Sequence, residues 1–290
     1  MFTGSLVAIV TPFKNGRVDE RALGDLIEFQ IANGTDGIVP CGTSGESATL
    51  TYEEHDRVIE FTVEATRQRV PVIAGTGSNS TDEAITLTKH AKRAGADGAL
   101  LICPYYNKPT QEGLYRHYKA IADAVDLPLV IYNIPSRTSV NILPATIARL
   151  SSIRNIVAIK EGAGSLGQVS EIIQACGDRI TVLAGDDPLT LPMMAVGAQG
   201  VITVTANVAP ADMAALVDAF AAGRLDQAKA LHYKLYPLFT ALFYETNPIP
   251  VKEALGMMGK IQPELRLPLC PMSAENRDKL ARAMKDYGLI

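Results

Sequence analysis

Lys160 closes an apolar run, Ile156–Val157–Ala158–Ile159, within the stretch IVAIKEGAG. A lysine among apolar walls loses hydration, which disfavours its charged form and lowers its pKa. A neutral amine attacks ketones and aldehydes, so this setting suits Schiff-base chemistry. The resulting imine draws electrons from the adjacent carbon, which permits an enamine and a new carbon–carbon bond. A lysine at a strand tip can equally snorkel to solvent, and the local residues leave both readings open. Glu161 does not neutralise it, because neighbours along a strand face opposite ways.

Other residues with usable chemistry recur at comparable places. Tyr132 ends the preceding apolar run, next to Lys160 across a sheet, and a phenol can both give and accept the proton that imine formation requires. CGTSGES (41–47) sets Thr43 and Ser44 between glycines, where backbone N–H groups can curl around a carboxylate. Its spacing is not that of a Walker loop. Arg137 in YNIPSRTS can clamp a carboxylate with two parallel hydrogen bonds. Tyr105 and Tyr106 are adjacent and so face different ways, one toward a site and the other packed or lining a second surface. Asp186 and Asp187 in AGDD could bind a metal, but no partner His or third acid stands out, and they read as loop structure near the site.

These residues share one address, the carboxyl end of a short apolar run. Eight such runs occur, over 6–12, 37–43, 71–77, 98–106, 128–135, 156–162, 181–187 and 200–207. Each is continuously apolar rather than alternating, the mark of parallel strands buried on both faces. Capped helical stretches separate them. In STDEAITLTKHAKRAG, Ser80 and Glu83 form a capping-box pattern and Gly95 a stop. The expected fold is an α/β (β/α)8 TIM barrel over 1–207, with catalytic groups where strands end. Residues 208–290 read as a C-terminal helical region packed on the barrel and interrupted by Pro248, Pro250, Pro263, Pro268 and Pro271.

Composition narrows the function classes. The 290 residues are 47% hydrophobic and 20% charged, with a net charge of −4. That balance offers no concentrated basic face for nucleic acid or a membrane surface. No apolar run is long enough to span a bilayer, and the opening lacks the basic start and cleavage site of a secretory signal. Cys41, Cys103, Cys176 and Cys270 are scattered, which favours free thiols and a cytoplasmic location. His55, His90, His117 and His232 lack paired metal spacing, so no metal site is expected.

With these residues assembled, the chain resembles the dihydrodipicolinate synthase family, pyruvate-dependent Schiff-base enzymes of the class I aldolase superfamily. The likeness runs through GSLVAIVTPF, GTSGESATL, PVIAGTGSNST, PYYNKPTQEGLYRHYKAIA, YNIPSRT, IKE, GDD, ITVTANVAP and NPIPVK, essentially the whole length. It implies that Lys160 forms the imine with pyruvate and that Tyr132, Thr43 and Tyr106 make a hydroxyl relay. Tyr106 would reach into a neighbouring subunit's site, in a homotetramer built as a dimer of dimers. Ser44 and Ile202 would hold pyruvate, Arg137 the carboxylate of L-aspartate 4-semialdehyde, and Gly185 with Asp186 the entrance. No metal or organic cofactor is implied, the lysine imine sufficing. An L-lysine inhibitor cleft would involve Ser47, Ala48, His55, Asn79, Glu83 and Tyr105, with Tyr52 where some lysine-sensitive members carry His. Ser44 replaces the usual second Thr but keeps the hydroxyl, and Gly162-Ala163-Gly164 replaces an Ala-Thr-Gly turn. Sugar-acid aldolases of the same superfamily, a keto-acid sensor and a phosphosugar barrel fit these motifs less well.

Overall fold

The computed structural model describes residues 2–290. Its eight apolar runs form one parallel sheet of β1 (Gly4–Ala8), β2 (Gly37–Val39), β3 (Ile73–Gly75), β4 (Gly98–Ile102), β5 (Leu129–Asn133), β6 (Ile156–Glu161), β7 (Thr181–Ala184) and β8 (Gly200–Thr203). The strand order is β2-β1-β8-β7-β6-β5-β4-β3, and a parallel bridge from Ile38 to Val72 closes the ring beside β3. A helix follows each strand, from Glu20–Ala32 after β1 to Pro210–Ala221 after β8. Every strand is therefore covered by helices outside and side chains inside, which is why the runs carry no polar alternation.

Two apolar clusters correspond to those layers. Leu6, Ala8, Val39, Ile73, Leu100, Val130, Tyr132, Ala158, Leu183 and Ile202 fill the barrel interior. Val7, Ile38, Leu101, Ile131, Ile159 and Val182 face outward and pack with helix residues such as Leu23, Leu26, Val58 and Ile121. In the Thr81–Ala94 helix, Ser80 caps Glu83 N at 3.4 Å and Gly95 ends the helix in the left-handed region. The capping box is only half formed, because Ser80 N donates to Ser78 Oγ at 3.0 Å and not to Glu83.

The helix Pro210–Ala221 packs against both β1 and the next helix, Leu225–Ala241, and so joins the barrel to the C-terminal helices. Pro248 and Pro250 start the helix Ile249–Met257 rather than interrupt one, since its first turn needs no proline N–H. Among the described residues no helix is long and apolar enough to cross a membrane.

Candidate active site

Lys160 and Tyr132 stand side by side on adjacent strands, paired in register near the ends of β6 and β5. A strict alternation would not have aimed Lys160 inward. Ile156 faces the helices, and two-residue steps from it would carry Lys160 to the same outer face. The register instead slips by one between Leu129 and Val130: Leu129 pairs with Ile156, but Val130 pairs with Ala158. Val157 and Ala158 consequently both turn to the barrel interior, and the phase flips. Lys160 follows them inward while Glu161 goes outward, the effect expected of one extra residue in a strand.

The amine of Lys160 lies 4.3 Å from the centre of the Tyr132 ring. Burial drives the Lys160 pKa down to about 8, Asp187 opposing the fall and Arg137 adding to it. Burial pushes Tyr132 the other way, up to about 12, which keeps the phenol protonated. Behind this pair, on the outer face, the Glu161 carboxylate accepts from Asn133 Nδ2 at 3.0 and 3.2 Å, Gln168 Nε2 at 3.2 Å and Ala163 N at 2.6 Å. Those donors tie β5, β6 and the Gly162–Gly164 turn together, and Gly162 N adds a bond to Asn133 O at 2.8 Å.

A cavity of about 640 Å³ opens over Lys160 and is lined also by Thr43, Ser44, Tyr132, Arg137, Gly185 and Asp186. Seven of the residues singled out in the sequence thus converge. Gly185 N donates to Glu161 O at 2.8 Å, and a Cβ at this glycine would come within 3.0 Å of that oxygen. Burial, then the neighbouring Asp187, raises the Asp186 pKa. Asp187 itself is buried and accepts from Thr205 N at 2.7 Å and Thr205 Oγ1 at 2.6 Å, so it braces the turn after β8.

Two expected residues do not line the cavity. Ile202 is buried in the barrel-interior cluster. Tyr106 is 91% exposed and held at φ +70°. Residues that the sequence reading passed over do line it: Phe243, Tyr244, Glu245, Thr246 and Asn247, all from the C-terminal region. Asn247 Nδ2 donates to Ser44 Oγ at 3.0 Å, and its carbonyl accepts from Arg137 Nη2 at 3.2 Å. The only sequence signal for it was the motif NPIPVK, which carried no role.

A second cavity, about 720 Å³, shares Thr43, Arg137, Thr246 and Asn247 with the first. It is lined by Ser47, Ala48, Tyr52, His55, Glu83 and Tyr105. Asn79 stays outside the lining, donating to Tyr105 O at 3.2 Å. Glu83, freed from the capping box, accepts from Ser78 Oγ and, at 2.6 Å, from Tyr52 Oη. Those two donors, Ser78 the stronger, hold its carboxyl below the usual carboxylate range. Among the described residues no cluster of three or more His, Cys, Asp or Glu is placed to hold a metal ion.

A (β/α)8 barrel with a buried, pKa-lowered amine at a strand end, a phenol beside it and a guanidinium at the rim has the architecture of the Schiff-base lyases of the class I aldolase type. The sequence profile of the dihydrodipicolinate synthetase family matches residues 1–287, and the chain belongs to that family. The 4-hydroxy-tetrahydrodipicolinate synthase of Syntrophus aciditrophicus (strain SB) is 66% identical over 290 residues, covering 100% of each chain. The chloride-inhibited dihydrodipicolinate synthase of Acinetobacter baumannii, complexed with pyruvate, is 50% identical with TM-score 0.98 over 100% of both chains. A lysine-bound structure from Cyanidioschyzon merolae is 40% identical with TM-score 0.96, covering 100% of this chain and 99% of that one.

Proposed function

We infer that the chain condenses pyruvate with L-aspartate 4-semialdehyde to give 4-hydroxy-tetrahydrodipicolinate, the step that commits carbon to lysine biosynthesis through diaminopimelate. The observation that carries the mechanism is the Lys160 amine, buried, beside Tyr132 and open to the cavity. The neutral amine adds to the keto carbon of pyruvate, and water leaves as the imine forms. Loss of a methyl proton gives the enamine, whose carbon attacks the aldehyde while the aldehyde oxygen takes up a proton. The aldehyde's own amino group then adds to the imine carbon, closes the ring and releases Lys160.

Tyr132 and Thr43 are assigned to moving these protons, Ser44 and the β8 backbone near Ile202 to holding pyruvate, and Arg137 to the carboxylate of the second substrate. Gly185 and Asp186 form the entrance. The imine is itself the electron sink, so the reaction calls for no metal or organic cofactor. Full activity after exhaustive treatment with a chelator is the expected result.

Borohydride reduction with pyruvate present is expected to add a pyruvate-derived mass to Lys160. A folded protein that gives no adduct would sink the mechanism. A coupled assay offering pyruvate with aspartate semialdehyde or with a sugar aldehyde separates this reaction from sugar-acid cleavage.

Tyr106 joins the relay only through a neighbouring copy, because its ring lies outside its own cavity and is 91% exposed. We therefore assign the dimer as the minimal active unit and a tetramer of two dimers as the assembly, which sedimentation tests directly. The second cavity is assigned to L-lysine, its ammonium on Glu83 and its carboxylate near Tyr105, with Asn79 acting from outside the lining through its bond to Tyr105 O, a reading the lysine-bound relative supports. Activity unchanged across a wide lysine titration would remove that assignment. Free thiols at all four cysteines suit a reducing compartment, and the reaction is placed in the cytoplasm.

A further inference from the structure

We propose that Glu46 and Lys252 form a positioning clamp that holds the Thr43–Ser44 turn in its working place from the C-terminal helices. The turn carries its own strain. Glu46 is left-handed at φ +52°, a conformation costly for a residue with a side chain and sustained only by surrounding contacts. Its N–H bonds Thr43 O at 3.2 Å, so the backbone at Glu46 directly sets the turn.

The contacts that sustain it come from far along the chain. The Glu46 carboxylate accepts from Lys252 Nζ at 2.5 Å and from Arg266 N at 3.2 Å. Both side chains of the ion pair are sealed from solvent, at 0% and 1% exposure. Phe13 walls the pair, its ring 4.1 Å from Lys252 Nζ and 4.4 Å from the Arg266 guanidinium. On the same C-terminal segment, Asn247 bonds Ser44 Oγ. Ser44 and Glu46 are therefore pinned to one segment at two points. A buried ion pair contributes little net stability over an apolar pair of equal volume. What it does supply is a directional contact between the Ile249–Met257 helix and the turn.

The clamp rests on the proposed reaction, since Thr43 and Ser44 are its groups. The double variant Glu46→Gln/Lys252→Met removes both charges together and is expected to keep a melting temperature near that of the unsubstituted chain. Amide exchange across residues 42–47 should quicken, and kcat should fall by about a hundredfold, the loss that a shift of about 1 Å can bring. Glu46→Asp keeps the charge and the fold but shortens the reach, and it should lower kcat while the pH midpoint for imine trapping at Lys160 stays put. Unsubstituted turnover in either variant, or unchanged exchange in the double variant, would overturn the clamp. Failure of the unsubstituted chain to trap pyruvate would count against the reaction alone, because exchange reads the clamp without substrate.

Discussion

Lys160 and Lys252 are both buried, and the protein treats them in opposite ways. Lys252 is locked to Glu46 at 2.5 Å. Lys160 Nζ has no ion-pair partner among the described residues, only the face of Tyr132 at 4.3 Å and the open cavity. Each amine also sits on an aromatic ring, Tyr132 or Phe13, so aromatic contact does not distinguish them. The carboxylate does. Burial lowers the pKa of both amines, but at Lys252 the Glu46 carboxylate opposes the fall and holds the group in an ion pair. Lys160, without an ion-pair partner, comes down to about 8, where a neutral and nucleophilic fraction is available near neutral pH. Burial alone does not make a lysine reactive.

The sharpest break of this comparison is chemical. Lys160→Ala should abolish the borohydride-trapped pyruvate adduct, while Lys252→Ala should leave any adduct at Lys160 and none elsewhere, as read by peptide mass spectrometry. Tyr132→Phe removes only the hydroxyl, and turnover should fall by about 10²–10⁴-fold, the range for one proton-transfer group. The two lysines should also part in stability. Lys252→Met strands the Glu46 charge and should cost about 3–5 kcal/mol in denaturant unfolding at neutral pH.

Lys160→Met should do the reverse and stabilise. A fall from 10.5 to about 8 corresponds to roughly 3 kcal/mol of destabilisation while the group is protonated in both states. That penalty is full below pH 8 and fades as pH rises toward 10.5, so the gain from the substitution should shrink over the same interval. The smallest effect is the titration itself. Imine formation with pyruvate should rise tenfold per pH unit below a midpoint near pH 8, and a midpoint near 10.5 would put Lys160 in the same class as an ordinary surface amine.

The barrel was legible because its signal is local and repeated eight times: continuous apolar runs, each ending in polar residues. The same rule led to Lys160, Tyr132, Thr43, Ser44 and Asp186, and the YNIPSRTS loop and the family resemblance added Arg137 and Gly185; all seven line one cavity. Glu83 was legible as a residue but not in its geometry, because Ser78 and Tyr52 compete for its carboxylate with the backbone of its own helix. Asn247 and Lys252 gave no local sign of their placement. They reach the turn across 203 and 206 residues, and nothing in their neighbours along the chain marks burial or contact with Ser44 and Glu46.

By itself the sequence determined which side chains stand at the strand ends, since the strand breaks are written in the order of apolar and turn residues. It did not determine the face on which Lys160 emerges. Counted from Ile156, simple alternation sends the amine among the helices. Only the pairing of β6 with β5, where Val157 is absorbed as an extra residue, turns Lys160 beside Tyr132 and into the cavity. That slip is a property of two strands meeting, and it sets Val130 and Ala158 together in the barrel interior.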